Sequence, residues 1–138
     1  MILMISEKEV KFMMDVAYSA SKESNDNKVR VGAVVAKDRN ILAYGYNGTA
    51  SGSNNSMRGS DGKTLNTVIH AEQNAIAKLA KSTQSGEGAA LFSTHFPCMN
   101  CALSIIQAGI TDVYYHIDYK CMSALELFEE CGVNTHKV

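Results

Sequence analysis

Hydrophobic positions along the chain switch between two periods. Val10, Met13, Met14, Ala17 and Ala20 recur at helical spacing and define one apolar face. Ser6 and Glu9 flank the start of that run as a capping box, and Asn25-Asp26-Asn27 supplies turn residues just past Ser24, where the helix should fade. Val31–Ala36 is a β-type apolar run, Lys37–Asn40 a turn and Ile41–Tyr46 a second alternating run, so the pair predicts a hairpin. Ala71, Ala75, Ile76 and Leu79 predict a helix over about Val68–Lys81. A short buried strand (Ala89–Thr94) and a helix over about Cys98–Gln107 follow, the helix closed by Gly109 as a left-handed cap. Asp112–His116 reads as a strand, Ser123–Glu130 as a helix and Val133–Val138 as a last strand. The order α-β-β-α-β-α-β-α-β predicts an α/β fold. Strands alternating with helices in the second half imply parallel pairing, and the hairpin makes the sheet mixed. The expectation is a three-layer α/β/α sandwich around a five-stranded mixed sheet.

One segment fits neither period. Gly48–Asn66 carries glycines at 48, 52, 59 and 62 with several Ser and Asn, too many breakers for a regular element. It is longer than a typical connection, which marks it as functional or mobile.

Composition narrows the class. At 138 residues the chain should form one domain, 1–138. Thirteen Lys and Arg against fourteen Asp and Glu leave a net charge of −1, which argues against a nucleic-acid-coating protein. No apolar run approaches the roughly 18 residues of a membrane helix. The stretch Met1–Ile5 is apolar but short, without the basic start of a signal peptide, so the expected address is cytoplasmic. There Cys121 and Cys131 should be ordinary reduced thiols rather than half of a disulfide framework.

The remaining two cysteines carry chemistry. Cys98 and Cys101 stand three apart at the start of a helix, on one face, where the helix dipole favours thiolates. His70 lies 28 residues before Cys98, enough for a helix, a strand and their turns, which brings two helix N-termini together at one end of the sheet. One imidazole and two thiolates suit zinc, and three ligands without a fourth describe an open, catalytic site. Glu72, two residues past His70, is placed to move a proton between water and substrate. A redox dithiol or half of a zinc knuckle would also use Cys-x-x-Cys, but either leaves His70 and Glu72 without a task. His95 is near enough to line the same pocket; His116 and His136 read as surface or core-edge residues.

His-x-Glu followed by Pro-Cys-x-x-Cys is the signature of zinc-dependent nucleobase deaminases, so from here the chain is identified by resemblance. It resembles the deoxycytidylate (dCMP) deaminase family in Val31-Gly-Ala-Val34, Gly45-Tyr-Asn-Gly48, His70-Ala-Glu-Gln-Asn-Ala-Ile76 and Thr94-His-Phe-Pro-Cys-Met-Asn-Cys-Ala102. Ile105–Ile110 and Asp118-Tyr119-Lys120 extend the match. The resemblance implies the cytidine deaminase-like fold with strand order about 2-1-3-4-5. It implies hydrolysis of dCMP to dUMP and ammonia, with one catalytic Zn²⁺ per chain on His70, Cys98 and Cys101 and with Glu72 as proton shuttle. Substrate contacts are expected from Arg30, Asn47, Ala71, Thr94, Tyr119 and Lys120. The family also implies a homohexamer, activated by dCTP and inhibited by dTTP. That effector site, with Mg²⁺ on the phosphates, falls on Lys28, Gly45, Tyr46, Asn47 and Gly48. Nucleic acid and membranes are not expected partners. A tRNA adenosine deaminase shares the core motif but should carry a basic RNA-binding surface, and a free cytidine deaminase usually has Cys in place of His70.

Overall fold

A computed structural model describes residues 5–138; the apolar start at positions 1–4, on which the cytoplasmic expectation partly rests, lies outside the described residues. The chain folds as α1 (Glu7–Ser21), β1 (Gly32–Lys37), β2 (Asn40–Tyr46), β3 (Gly48–Thr49), β4 (Val68–Ile69), α2 (Ala71–Ala80), β5 (Ala90–His95), α3 (Met99–Gln107), β6 (Asp112–Ile117), α4 (Ala124–Glu130) and β7 (Asn134–Lys137). The main sheet runs β2-β1-β5-β6-β7. With the two-residue strands set aside, that is the expected order 2-1-3-4-5. The hairpin pairs antiparallel, β1 pairs antiparallel with β5, and β5, β6 and β7 pair parallel, so the sheet is mixed as expected. Among the described residues no helix is long and apolar enough to cross a membrane.

Alternation along the strands sorts side chains into two cores. Val34, Ala36, Ala90 and Phe92 face α1 and pack with Met13, Met14 and Ala17. Val35, Leu91, Val113 and Tyr115 face the other way and pack with Ala75 and Leu79 of α2, Ala102 and Ile105 of α3, and Ala124 and Phe128 of α4. One helix on one face and three on the other make the expected three layers. Ser6 caps α1 by accepting a hydrogen bond from the Glu9 N–H at 3.2 Å. The β1–β2 turn places Asp38 and Arg39 at positive φ, the conformation whose twist suits a tight hairpin. Two glycines are required by close approach. A Cβ on Gly32 would lie 1.9 Å from the Ala17 carbonyl oxygen, and one on Gly45 would lie 2.5 Å from that of Ala71. These glycines let β1 sit hard against α1 and β2 hard against the start of α2.

Two sequence expectations shift here. Helix α2 starts at Ala71, not Val68, because Val68 and Ile69 pair with Thr49 and Gly48 as a short antiparallel ladder. The same ladder gives the Gly48–Asn66 segment a regular element at its first two residues, closing the loop at its base. Within the loop Arg58 bridges Thr64, the Leu65 N–H donates to the Met57 carbonyl, and Met57 is buried.

Candidate active site

The parallel strands β5 and β6 and the edge strand β2 end on one side of the sheet, where ligand sites of α/β sheets form. His70 is the N-cap of α2 and Cys98 the N-cap of α3, so each enters from an extended residue just before a helix. Cys101 lies one turn into α3 and is fully buried. Gln73 Oε1 accepts from the His70 N–H at 3.3 Å, and Asn74 Nδ2 donates to the Tyr46 carbonyl at 3.1 Å, which anchors the first turn of α2 to β2.

One ligand atom each from His70, Cys98 and Cys101 lies within 4.8 Å of the others. His70 Nδ1 stands 3.4 Å from Cys98 Sγ and 3.3 Å from Cys101 Sγ. A tetrahedral zinc with its usual bond lengths separates an N and an S ligand by about 3.6 Å. The donor set and its spacing therefore fit zinc with little movement. The Cys101 thiol beside it and the His70 ring outweigh burial and pull the Cys98 thiol down to about 4. Cys98 and burial in turn push the Cys101 thiol up, and the hydrogen bond to Cys98 raises His70. Three donors that share protons this tightly are set to exchange them for one divalent ion. Glu72, in the first turn of α2, is 4% exposed, and burial raises its carboxyl above the ordinary value. A carboxyl raised by burial beside a set of metal-ligating side chains is suited to carrying a proton.

Three of these residues, with Cys101 buried behind them, floor a cavity of about 430 Å³, within the range of small-ligand pockets. His70, Glu72 and Cys98 line it together with Asn47, His95, Phe96, Asp118, Tyr119 and Lys120. Asn47 is buried and braces the wall: its Oδ1 accepts from the Val31 N–H at 2.8 Å and its Nδ2 donates to the Val29 carbonyl at 2.9 Å. One Nδ2 hydrogen remains for a ligand.

Other expected site residues stand apart from this wall. Ala71 is fully buried behind the first turn of α2. Thr94 is buried in β5, where its Oγ1 accepts from the Gly32 N–H at 3.2 Å and bonds the His95 ring. Arg30 is exposed, and its Nε donates to the Asp26 carbonyl oxygen at 3.1 Å. Lys28 reaches the Gly62 carbonyl at 3.4 Å, while Gly45 has the packing task described above. Tyr46 and Gly48 lie in and just past β2, on no part of this lining.

The wall also holds residues that sequence reasoning missed. Asp26, Val29, Val31, Arg58, Thr64 and Val68 complete the lining. Asp26 is 2% exposed and takes both a bidentate Arg58 and the N–H groups of Lys28 and Val29. Burial pushes its carboxyl up, but Arg58 and the two N–H groups outweigh this and hold it below the ordinary value. The only hint in the sequence is one arginine in an otherwise mostly uncharged polar stretch.

Known proteins frame this geometry. Residues 7–117 match the model of the cytidine and deoxycytidylate deaminase zinc-binding region. ComE operon protein 2 of Bacillus subtilis is 38% identical over 132 residues, covering 92% of this chain and 69% of that protein. The deoxycytidylate deaminase of Schizosaccharomyces pombe is 36% identical over 134 residues, but the chain spans only 41% of its length. The crystal structure of dCMP deaminase from the cyanophage S-TIM5, in complex with dCMP and dUMP, superposes with a TM-score of 0.95 at 40% identity, covering 98% of this chain and all of that one.

Proposed function

The chain belongs to the cytidine and deoxycytidylate deaminase family, and from that premise we propose that it hydrolyses dCMP to dUMP and ammonia as a single deaminase domain. The observation that carries this reading is the placement of Glu72 beside the His70, Cys98 and Cys101 cluster at the floor of a nucleotide-sized cavity. The cyanophage relative solved with dCMP and dUMP supports the choice of substrate.

His70, Cys98 and Cys101 would hold Zn²⁺, whose Lewis acidity makes water nucleophilic near neutral pH. Glu72 takes one proton from the attacking water and passes it to ring N3 as the C4–oxygen bond forms. It then carries the second proton of that water to the amino group, the C4–nitrogen bond breaks with its electron pair leaving on nitrogen, and ammonia departs. Phe96 and Pro97, both buried just before α3, keep bulk water from the floor, where burial holds the Glu72 carboxyl raised for proton exchange with the reactants. Asn47 offers its free amide hydrogen to the sugar or base. Tyr119 and Lys120 at the mouth face the phosphate, which needs donors and positive charge.

Regulation and assembly complete the proposal. The chain forms a homohexamer, activated by dCTP and inhibited by dTTP, with Mg²⁺ on the effector phosphates and Lys28 and Gly45–Gly48 in the effector site. This part rests on the family resemblance, and the exposed Lys28 leaves a cation available for it. Four free cysteines suit the reducing cytoplasm.

The test is ammonia release by the zinc-loaded chain from dCMP, CMP, deoxycytidine and an adenosine-bearing tRNA stem-loop, each repeated with dCTP·Mg²⁺ and dTTP·Mg²⁺. Preferred turnover of dCMP is expected, stimulated by dCTP and suppressed by dTTP. Turnover of deoxycytidine with dCMP inert removes Tyr119 and Lys120 from the phosphate site. Sedimentation with and without effectors tests the hexamer.

A further inference from the structure

We propose that Arg58, held by the buried Asp26, binds the substrate phosphate and sets the preference for a nucleotide over a nucleoside. The inference deepens the reading above and rests on it. Arg58 belongs to the loop between β3 and β4, yet its side chain lines the cavity that His70, Glu72 and Cys98 floor. Its Nε and Nη2 donate to Asp26 Oδ1 and Oδ2 at 2.9 and 3.0 Å, and its Nη1 donates to the Gly62 carbonyl at 2.9 Å.

A guanidinium carries five N–H donors. Three are used here, which leaves one on each terminal nitrogen for a ligand. The side chain is 18% exposed and that of Asp26 only 2%, so the open part of the pair belongs to the arginine. Asp26 is satisfied from behind as well, by the Lys28 and Val29 N–H groups. Its charge is thereby spread over several donors, and the guanidinium keeps positive character toward the cavity.

The other carboxylates on this wall do not compete for the site. Asp118 pairs with Lys137 at 3.0 Å, and Glu72 is buried at the floor. Lys120 has no carboxylate within 4.0 Å among the described residues. The wall therefore offers a flexible ammonium from β6's trailing loop and a rigid guanidinium from the β3–β4 loop. A phosphate dianion is recognised best by a fixed, forked donor set, which a lysine alone does not provide. Asp26 acts as a positioning residue: it fixes the rotamer of Arg58 and, through it, ties the polar loop to the segment before β1.

The deciding measurement is kcat/KM for dCMP and for deoxycytidine in zinc-loaded wild type, Arg58→Gln and Arg58→Lys. Arg58→Gln should lower the dCMP-to-deoxycytidine ratio by roughly ten- to a hundredfold, as expected for lost charged hydrogen bonds. The loss should reside mainly in KM, and Arg58→Lys should recover part of it. A purely structural role predicts instead that both substrates lose activity together with the ratio unchanged, and that result overturns the proposal. Should Arg58→Gln lose zinc or its cooperative melt, Arg58→Lys carries the same comparison with the charge retained: a lowered ratio supports the contact and an unchanged one contradicts it. A wild type with no preference for dCMP overturns the functional reading itself. A wild type that prefers dCMP, with that preference intact in both variants, overturns only the assignment of Arg58.

Discussion

The cavity has two walls of opposite origin. The floor comes from the first turns of α2 and α3, where His70, Glu72, Cys98 and Cys101 stand within short, contiguous motifs. The other wall comes from the segment before β1 and from the β3–β4 loop, joined by Asp26 and Arg58 across 32 positions of sequence. The floor is rigid because regular secondary structure sets it: helix N-caps, a glycine contact and a buried strand end. The loop wall is held by the Asp26–Arg58 ion pair, a two-residue ladder and a few hydrogen bonds such as Lys28 and Arg58 to the Gly62 carbonyl. In the proposed function, chemistry that needs fixed geometry to within a fraction of an ångström would sit on the first and recognition of the variable part of a ligand on the second.

The largest expected effect breaks the floor. Cys101→Ser replaces a fully buried thiol ligand and should release zinc and abolish turnover, read by metal analysis alongside an activity assay. Hydrogen exchange should show the first turns of α2 and α3 loosening while the β3–β4 loop stays protected. Loosening of the loop instead would mean that the two walls are one unit.

Next in size, Glu72→Gln should keep zinc and the melting temperature but lower kcat by at least roughly 10²–10⁴-fold, the usual contribution of a positioned proton carrier. Zinc loss in this variant would place Glu72 in the binding of the metal rather than in proton transfer.

Asp26→Asn strikes the loop wall. It should cost about 3 kcal/mol of stability, because it leaves Arg58 partly buried without its counter-charge. The pH profile supplies a sharper signature. The carboxyl of Asp26 is lower in the folded chain than its ordinary value, so its contribution is complete above the unfolded value, about 4, and is lost as pH falls through the lower folded value. Chemical denaturation across that range should show the loss in wild type, and Asp26→Asn should lack that component.

The smallest effect probes how closely the floor is packed. Gly45→Ala sets a methyl 2.5 Å from the Ala71 carbonyl oxygen and should cost about 1–3 kcal/mol by forcing β2 from α2. If thermal melts show no change, α2 has slack at its N-terminus and the floor is less rigid than argued.

The same division decides what was legible in the sequence. Helical and alternating periods located every long element, since each depends on local repetition, whereas the strand order came from the family resemblance. The clustering of His70, Cys98 and Cys101 was legible because residue types with narrow chemistry stand in two short motifs, each at the start of a helix. Val68 and Ile69 misled: they continue the apolar spacing of α2 backwards, yet pairing with Gly48 and Thr49 takes them into a ladder. Thr94 and Ala71 belong to the motifs themselves, but strand alternation and helix packing turn both side chains into the interior. Asp26 and Arg58 were invisible because nothing local links a turn aspartate to an arginine in a glycine-rich loop. Their bond exists only after the loop closes.

The deciding measurement follows dUMP formation from dCMP by the zinc-loaded chain, wild type beside Glu72→Gln. Wild type should yield dUMP and ammonia in equal amounts, and a folded, zinc-bearing Glu72→Gln almost none. Unchanged dCMP with zinc-loaded wild type, or wild-type turnover by the variant, would contradict the proposed function.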